Sequence, residues 1–167
     1  EGIDANFFNE TRQHFENIHR VTRRMMEDRK DDKGLSVVLE PTFFCETLGL
    51  QGRFDMLSAD YSMLLELKSG KKDEFHNRCQ HEHILQMLLY KEILYYNIGV
   101  RQKDVIGYLL YSKYPELIEQ RSAMQLIQEA MTLRNKIVCL EQKLVEGEAR
   151  NYISRLTAEK LKTNPSV

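Results

Sequence analysis

Two acidic side chains and a lysine are spaced so that a short hairpin would bring them together. Asp55 lies near the end of one candidate extended run, and Glu66 and Lys68 lie in the next. Because side chains alternate faces along a strand, Glu66 and Lys68 share one face, and the intervening Leu67 turns to the other. Two carboxylates and an ammonium at one spot can hold a hard divalent cation through oxygen ligands. They can also place a lysine beside the attacking water of a phosphate hydrolysis.

A polar stripe follows the hairpin. Residues 75–97 lack Pro and Gly and predict a helix. On it, Cys79, His83, Gln86 and Tyr90 recur at three- or four-residue spacing and therefore share one side. The rest of this helix is apolar almost all round. It is therefore expected to pack on a sheet, with the polar stripe facing the functional side of the hairpin.

These pieces together resemble a known family. The runs Gly49-Leu50-Gln51-Gly52-Arg53-Phe54-Asp55 and Glu66-Leu67-Lys68-Ser69-Gly70-Lys71, followed by His83, Gln86 and Tyr90, resemble the PD-(D/E)xK nuclease superfamily in its RecB-like branch. Within that branch they most resemble the nuclease domain of the replication helicase-nuclease that trims Okazaki flaps. The likeness is continuous over residues 46–90 and fainter to residue 138. It implies metal-dependent hydrolysis of DNA phosphodiester bonds, on single-stranded or flap DNA, by part of a helicase-nuclease or DNA repair protein.

The resemblance also implies a metal site. Asp55 and Glu66 would be ligands of Mg²⁺ or Mn²⁺, with the carbonyl of Leu67 as a third. The family normally adds a His that follows a Gly-rich turn upstream, and this chain has no such turn. His14 or His19 could stand in for it. The alternative, which we favour, is that the segment carrying this ligand precedes Glu1 in a longer parent chain.

Catalytic roles for three further residues follow from the same resemblance. Lys68 would position or activate the attacking water. Gln86 would orient Lys68 or a phosphate, and Tyr90 would pack under the site or contact DNA. The catalytic set is therefore Asp55, Glu66, Lys68, Gln86 and Tyr90.

Charge predicts modest DNA affinity. The net charge is −1 and the pI about 6.6, so charge alone would not hold nucleic acid. Local phosphate contacts are expected from Arg53, Lys71, Lys72 and Arg78. Asp73 and Glu74 dilute this cluster, so we expect extra grip on DNA from a covalently linked helicase domain. Lys71 and Lys72 could equally be ordinary loop lysines.

The cysteines exclude one cofactor. Cys45, Cys79 and Cys139 show no CxxC spacing, which indicates reduced thiols. Some RecB-like relatives carry an iron-sulfur cluster whose last three cysteine ligands follow the nuclease core, and only Cys139 lies there. No iron-sulfur cluster is expected. A zinc site from Cys79, His81 and His83 is disfavoured because residues two apart on a helix diverge. The more economical interpretation of His83 is a structural role.

Two competing function classes stay open. The first is a catalytically weak or inactive module that keeps the nuclease fold and binds nucleic acid or serves as a scaffold. The missing upstream His favours it, and the intact acidic and Gln-x-x-x-Tyr sets disfavour it. The second is a protein-interaction module built on the C-terminal helices, whose amphipathic pattern is explained more simply by core packing.

The surrounding elements predict one α/β domain over residues 1–167, with a restriction-endonuclease-like core and a small mixed sheet flanked by helices. An apolar stripe predicts an N-terminal helix within 1–30. The core spans 35–112, with turns at Pro41 and Gly49, a close backbone approach at Gly52, and a last strand at 105–112. C-terminal helices are expected over 116–163, in two segments, 116–146 and 149–162.

Composition agrees with an ordinary globular chain, at 42% hydrophobic and 29% charged residues. No apolar run reaches membrane-spanning length, and no signal-peptide pattern opens the sequence. No membrane partner is expected. A cytoplasmic location is expected, associated with the nucleoid if the source is bacterial.

Overall fold

The computed structural model describes residues 5–28, 36–73 and 78–148. The backbone divides into two compact units, residues 1–124 and 125–167. The first unit contains every described strand.

The first unit opens with α1, Ala5–Asp28, which confirms the predicted N-terminal helix. Asn17, Val21 and Met25 recur every four residues and are buried along one side. Val21 and Met25 join a core cluster with residues of three strands: Met56, Met63, Leu65 and Leu110. The predicted apolar stripe is therefore buried only in its C-terminal part, since Phe8 and Phe15 are exposed.

A five-stranded mixed sheet forms the centre of this unit. Its strands are β1 Val37–Leu39, β4 Met56–Ser58, β5 Met63–Lys68, β6 Ile106–Tyr111 and β7 Leu117–Gln120, in the order β1-β4-β5-β6-β7. Only the β5–β6 pair is parallel. The strands β2 Thr42–Cys45 and β3 Leu50–Arg53 form a separate antiparallel pair. The predicted α/β class with a small mixed sheet between helices is confirmed.

The predicted hairpin is formed by β4 and β5. Met56 pairs with Leu65 and Leu57 with Leu64. Its turn is closed by Asp60, whose Oδ1 accepts from the backbone N–H of Ser62 at 3.0 Å and from its hydroxyl at 2.8 Å. Continuing this register by one residue places the position before Met56 opposite the position after Leu65. Those positions are Asp55 and Glu66.

The helix α2, His81–Ile98, crosses from β5 to β6. It starts six residues later than the sequence predicted. Asp73 and Arg78 exchange backbone hydrogen bonds at 2.9 and 3.1 Å, which holds Arg78 in an extended pairing, and Gln80 is still extended. Cys79 therefore lies outside the helix, and its predicted place on the polar stripe was wrong. The helix ends at Gly99, whose φ of 82° suits a glycine.

The two helices cover opposite faces of the sheet. On β6, Leu110 packs in the cluster of α1. Gly107 turns the other way, where an added Cβ would lie 2.7 Å from the sulfur of Met87 and 2.8 Å from Cε of Lys91, both on α2. Glu66 and Lys68 alternate with Leu65 and therefore face α2.

The helix predicted over residues 116–146 needs correction at its start. Residues 117–120 were expected to be helical, but they form β7, which pairs with β6 from Gly107↔Gln120 to Leu110↔Leu117. A short apolar run does not distinguish a strand from a helix, and the free edge of β6 decides the outcome here. The helix α3 spans Met124–Lys143, and all of it after Met124 belongs to the second unit. It is followed by Leu144–Glu148, where Gly147 has a φ of 91°. The helix predicted over 149–162 lies outside the described residues. Within the described ranges, no helix is long and apolar enough to cross a membrane.

Candidate active site

The two acidic residues meet at the open end of the β4–β5 hairpin. The carboxylate of Asp55 accepts the backbone N–H of Leu67 at 2.6 Å, which ties it to the neighbouring strand. Glu66 is 4% exposed, and its Oε1 accepts the ammonium of Lys68 at 2.8 Å. Its other oxygen, Oε2, is buried with no hydrogen-bond partner among the described residues. The site thus contains a carboxylate oxygen with unused capacity to accept.

Burial and a neighbouring acid both act on the carboxyl group of Glu66. Burial raises the pKa of Glu66, and the nearby charge of Asp55 raises it further, while Lys68 opposes both. A buried carboxylate with an unsatisfied oxygen beside a second carboxylate is costly unless positive charge compensates it. Oxygen donors are those that Mg²⁺ and Mn²⁺ prefer. The residues present therefore fit a hard divalent cation.

A chain of hydrogen bonds connects the catalytic lysine candidate to α2 and back to β3. The ammonium of Lys68 donates to Oε1 of Gln86 at 2.6 Å. The amide of Gln86 donates to the hydroxyl of Tyr90 at 2.7 Å, and this hydroxyl donates to the carbonyl of Arg53 at 3.0 Å. Four predicted residues are thereby linked through side chains or backbone. The structure brings together all five members of the predicted catalytic set: Asp55, Glu66, Lys68, Gln86 and Tyr90.

Tyr90 is fixed by packing as well as by hydrogen bonds. Its ring lies 4.5 Å from that of the fully buried Phe54, centroid to centroid. A Cβ added at Gly52 would lie only 2.9 Å from Cε1 of Tyr90. The close approach predicted at Gly52 is therefore present, and the group that approaches is the Tyr90 ring. Burial, followed by the charge of Glu66, raises the pKa of Tyr90, which keeps it a hydrogen-bond donor at neutral pH.

Sequence reasoning missed Tyr111, the last residue of β6. Its hydroxyl lies 2.8 Å from Nδ1 of His83 and accepts the backbone N–H of Gln80 at 3.0 Å. Burial lowers the pKa of His83, and the charge of Lys68 lowers it further, so this imidazole is neutral at pH 7. This contact with Tyr111 is compatible with the structural role that the sequence analysis favoured for His83. The only sequence signal for Tyr111 was its place at the end of a strand neighbouring β5.

The thiol and histidines considered for zinc do not converge. The sulfur of Cys79 accepts the side-chain amide of Gln120 at 3.3 Å, and burial raises the pKa of this thiol. His83 is occupied by Tyr111. Among residues 5–28, 36–73 and 78–148, no group of three or more His, Cys, Asp or Glu side chains is arranged to hold a metal. Any cation at Asp55 and Glu66 would need a backbone carbonyl, such as that of Leu67, or a substrate oxygen.

The two upstream histidines lie on α1. Nδ1 of His14 is 2.6 Å from the hydroxyl of Ser112, just after β6, and the N–H of Ser112 donates to the carbonyl of Lys68 at 2.9 Å. The ring of His19 stacks on Phe15, with centroids 6.0 Å apart. His14 therefore reaches the end of β5 through Ser112.

The predicted phosphate-contacting residues differ in availability. Arg53, Lys71 and Arg78 are exposed, and Arg53 has a weak ion pair of 3.9 Å with Glu40. The side chain of Lys72 is only 9% exposed. Its ammonium lies 3.3 Å from Glu116 and 4.6 Å above the centre of the Tyr114 ring. Three of the four predicted cations are thus exposed to solvent, and Lys72 is not.

Comparisons with known proteins give a likeness to solved structures alone. No protein-family model matches the chain, and no curated protein matches it. A solved structure from Eubacterium rectale, described as a "putative exonuclease", is similar at 17% sequence identity with a TM-score of 0.48. The match covers 87% of this chain, which spans 56% of the length of that protein. The geometry above therefore carries the functional argument.

Proposed function

We propose that this chain is a metal-dependent nuclease that hydrolyses phosphodiester bonds of DNA, with single-stranded or flap DNA as its substrate. The observation that carries the proposal is the buried Oε2 of Glu66, which has no hydrogen-bond partner in the described part of the chain. Glu66 lies beside Asp55 and accepts a hydrogen bond from Lys68. A surface ion-pair cluster would not need a buried acceptor without a donor. A site that binds a cation does need such an oxygen, because the oxygen is a ligand for the ion.

Asp55 and Glu66 would hold Mg²⁺ or Mn²⁺, and the carbonyl of Leu67 is the proposed third ligand from the protein. When bound, such an ion lowers the pKa of the attacking water and neutralises charge that develops on the phosphate.

The chain's own residues supply positioning. Lys68 Nζ has two acceptors, Glu66 and Gln86, and retains donor capacity for a phosphate oxygen or the attacking water. Gln86 in turn is held by Tyr90. Because each member is held by the next, Lys68 has a defined position before substrate enters. This preorganisation is how the side chains of the protein would lower the activation free energy. Arg53, Lys71 and Arg78 are proposed to contact flanking phosphates.

The wider setting is also part of the proposal. The motif resemblance to the RecB-like branch of the PD-(D/E)xK nucleases supports a parent protein that joins this domain to a helicase and acts in DNA replication or repair. The near-neutral charge of the chain supports a second DNA-binding domain in that parent, because few phosphate contacts are available here.

A second candidate is a nuclease-fold module that binds nucleic acid without cutting it. It is favoured by the lack of a three-residue side-chain ligand group among the described residues. A calorimetric titration with Mn²⁺ separates the two, because a scaffold has no need of the cation and a nuclease does.

The deciding experiment is cleavage of labelled single-stranded DNA with Mg²⁺ or Mn²⁺. The unsubstituted chain should cut this DNA. Asp55→Asn and Glu66→Gln should each lower the cleavage rate by at least about two orders of magnitude, as expected when catalytic electrostatics are removed. Glu119→Gln removes the same charge from exposed β7 and should leave cleavage unchanged. Equal activity in the parent and both site variants would exclude this site.

A further inference from the structure

A mostly apolar groove of about 300 Å³ opens beside the candidate active site. One wall is the outer side of α2, at helical spacing, and the other is the start of β3. Its lining residues are Leu50, Gln51, Glu82, Leu85, Gln86, Leu89, Tyr90 and Ile93. Gln86 and Tyr90 belong both to this groove and to the hydrogen-bond chain of Lys68. The groove therefore adjoins the residues that hold Lys68 in position.

We propose that the groove binds one unpaired nucleobase of the substrate strand, next to the scissile phosphate. This inference rests on the proposed nuclease function. The volume is at the lower end of small-molecule sites, as a single heterocycle requires. Leu85 and Leu89, with the small exposed part of the Tyr90 ring, offer apolar surface to a base. Such packing is tolerant of sequence because every base has a π face.

The polar groups of the groove select the base rather than the sugar-phosphate backbone. Its lining includes Glu82 and Gln51, and no Lys or Arg among the described residues lines it. A phosphate in the groove would be repelled by Glu82, whereas an exocyclic amine would find an acceptor. Adenine, cytosine and guanine carry such an amine, and thymine does not. The groove should therefore prefer amino-bearing bases.

This subsite would also decide the substrate class. In a duplex, each base is stacked and its amine is paired, so entry would require the base to be unpaired and unstacked first. A single strand or flap presents its bases without that cost. The groove thereby gives the chain its own reason to favour unpaired DNA.

The binding test uses mononucleotides and methyl NMR with no divalent cation. Deoxycytidine and deoxyadenosine monophosphates should shift the methyl signals of Leu85, Leu89 and Ile93 saturably. Thymidine monophosphate should bind about tenfold more weakly, as one lost base-edge contact implies. Deoxyribose 5-phosphate should leave these signals in place. Leu89→Trp, which fills the groove, should abolish the shifts, and Leu39→Trp on exposed β1 should not.

The inference is overturned if deoxyribose phosphate shifts the same methyls as the nucleotides. It is also overturned if only an apolar peptide does so, which would make the groove a protein-docking site. Neither outcome depends on catalysis, so the titration tests base binding by the groove even if the chain does not cut DNA.

A cleavage test then separates the two proposals. A single abasic residue is moved along a labelled strand, and one position next to the cut should slow cleavage about tenfold, the equivalent of one lost stacking contact. If the cleavage rate does not depend on the abasic position, the nuclease function is supported and the base-binding role of the groove is contradicted. If no strand is cleaved, the nuclease function is contradicted, and the NMR titration alone then tests base binding.

Discussion

The ammonium of Lys68 lies 2.6 Å from the side-chain carbonyl of Gln86, which joins strand β5 to helix α2 at the candidate active site. This bond gives Lys68 a second acceptor besides Glu66. Two acceptors of different origin define a position in space, whereas a lone ion pair would leave the long side chain free to rotate. Gln86 thus acts through Lys68 as a positioning residue.

Replacing Gln86 should therefore impair turnover more than substrate binding. Gln86→Leu keeps the volume but removes the acceptor for Lys68 and the donor to Tyr90. We expect kcat to fall by about 10- to 100-fold, as for other residues that orient a catalytic group, with KM changed little. Gln86→Glu keeps an acceptor for Lys68 and should recover part of the loss. Steady-state cleavage kinetics of a labelled single strand would measure both, and a variant defective in KM alone would contradict the positioning role.

The local parts of this site were predictable from the sequence, and the long-range parts were not. Asp55 and Glu66 flank the short β4–β5 hairpin, so its antiparallel pairing brings them together. Gln86 and Tyr90 share a helix face through their four-residue spacing. Tyr111 and His83 meet only because β6 pairs with β5 after the crossover. No periodicity within one element records such a pairing.

The errors at element ends have the same origin. The backbone bridge between Asp73 and Arg78 delays the start of α2, and the open edge of β6 recruits residues 117–120 as a strand. In both cases a tertiary partner overrides a local apolar pattern.

Glu66→Gln should stabilise the protein at neutral pH while abolishing cleavage. The pKa of Glu66 is raised by burial, so the folded state holds its proton more tightly than the unfolded state does. In the parent, stability is therefore greatest below pH 4.5 on this account and is lost as pH rises through the raised pKa. Glutamine has no charge to bury, so the variant should gain about 1 kcal/mol at pH 7. It can still accept from Lys68.

Urea unfolding at pH 4.5 and 7 with EDTA would measure this difference. The gain of the variant should be larger at pH 7 than at pH 4.5. Added Mn²⁺ should raise the Tm of the parent and not that of Glu66→Gln, because only the parent retains the ligand. If Glu66→Gln is less stable than the unsubstituted chain at pH 7 without metal, burial of the charged carboxylate does not destabilise the fold.

Two glycines provide a matched test of the packing around Tyr90. At Gly52 an added methyl group would lie 2.9 Å from the ring of Tyr90 and 3.1 Å from Cδ1 of Ile93. Gly52→Ala should cost about 1–3 kcal/mol, the usual range for overpacking, and should lower cleavage by displacing Tyr90 from Gln86. At Gly70 an added Cβ meets nothing within 4 Å. Gly70→Ala should be neutral in thermal unfolding and in cleavage, and equal effects of the two substitutions would contradict this account.

Lys91 should make stability rise with pH in a range where the active-site acids no longer titrate. It lies on the side of α2 that faces β6 and β7, is 3% exposed, and donates to the carbonyl of Gln120 at 3.2 Å. Burial lowers its pKa from 10.5, with the charge of Glu119 opposing. The unfolded state therefore binds more protons between the lowered pKa and 10.5, and the unsubstituted chain should gain stability as pH rises through that window.

Lys91→Met keeps the apolar stem and removes the charge. The free energy of unfolding, measured with urea from pH 7 to 10, should therefore no longer rise with pH in this variant. The variant should be about 1 kcal/mol more stable than the parent at pH 7. Cleavage should be unchanged, because Lys91 contributes no atom to the hydrogen-bond chain of Lys68. A slope that persists in Lys91→Met would assign the titration to another group.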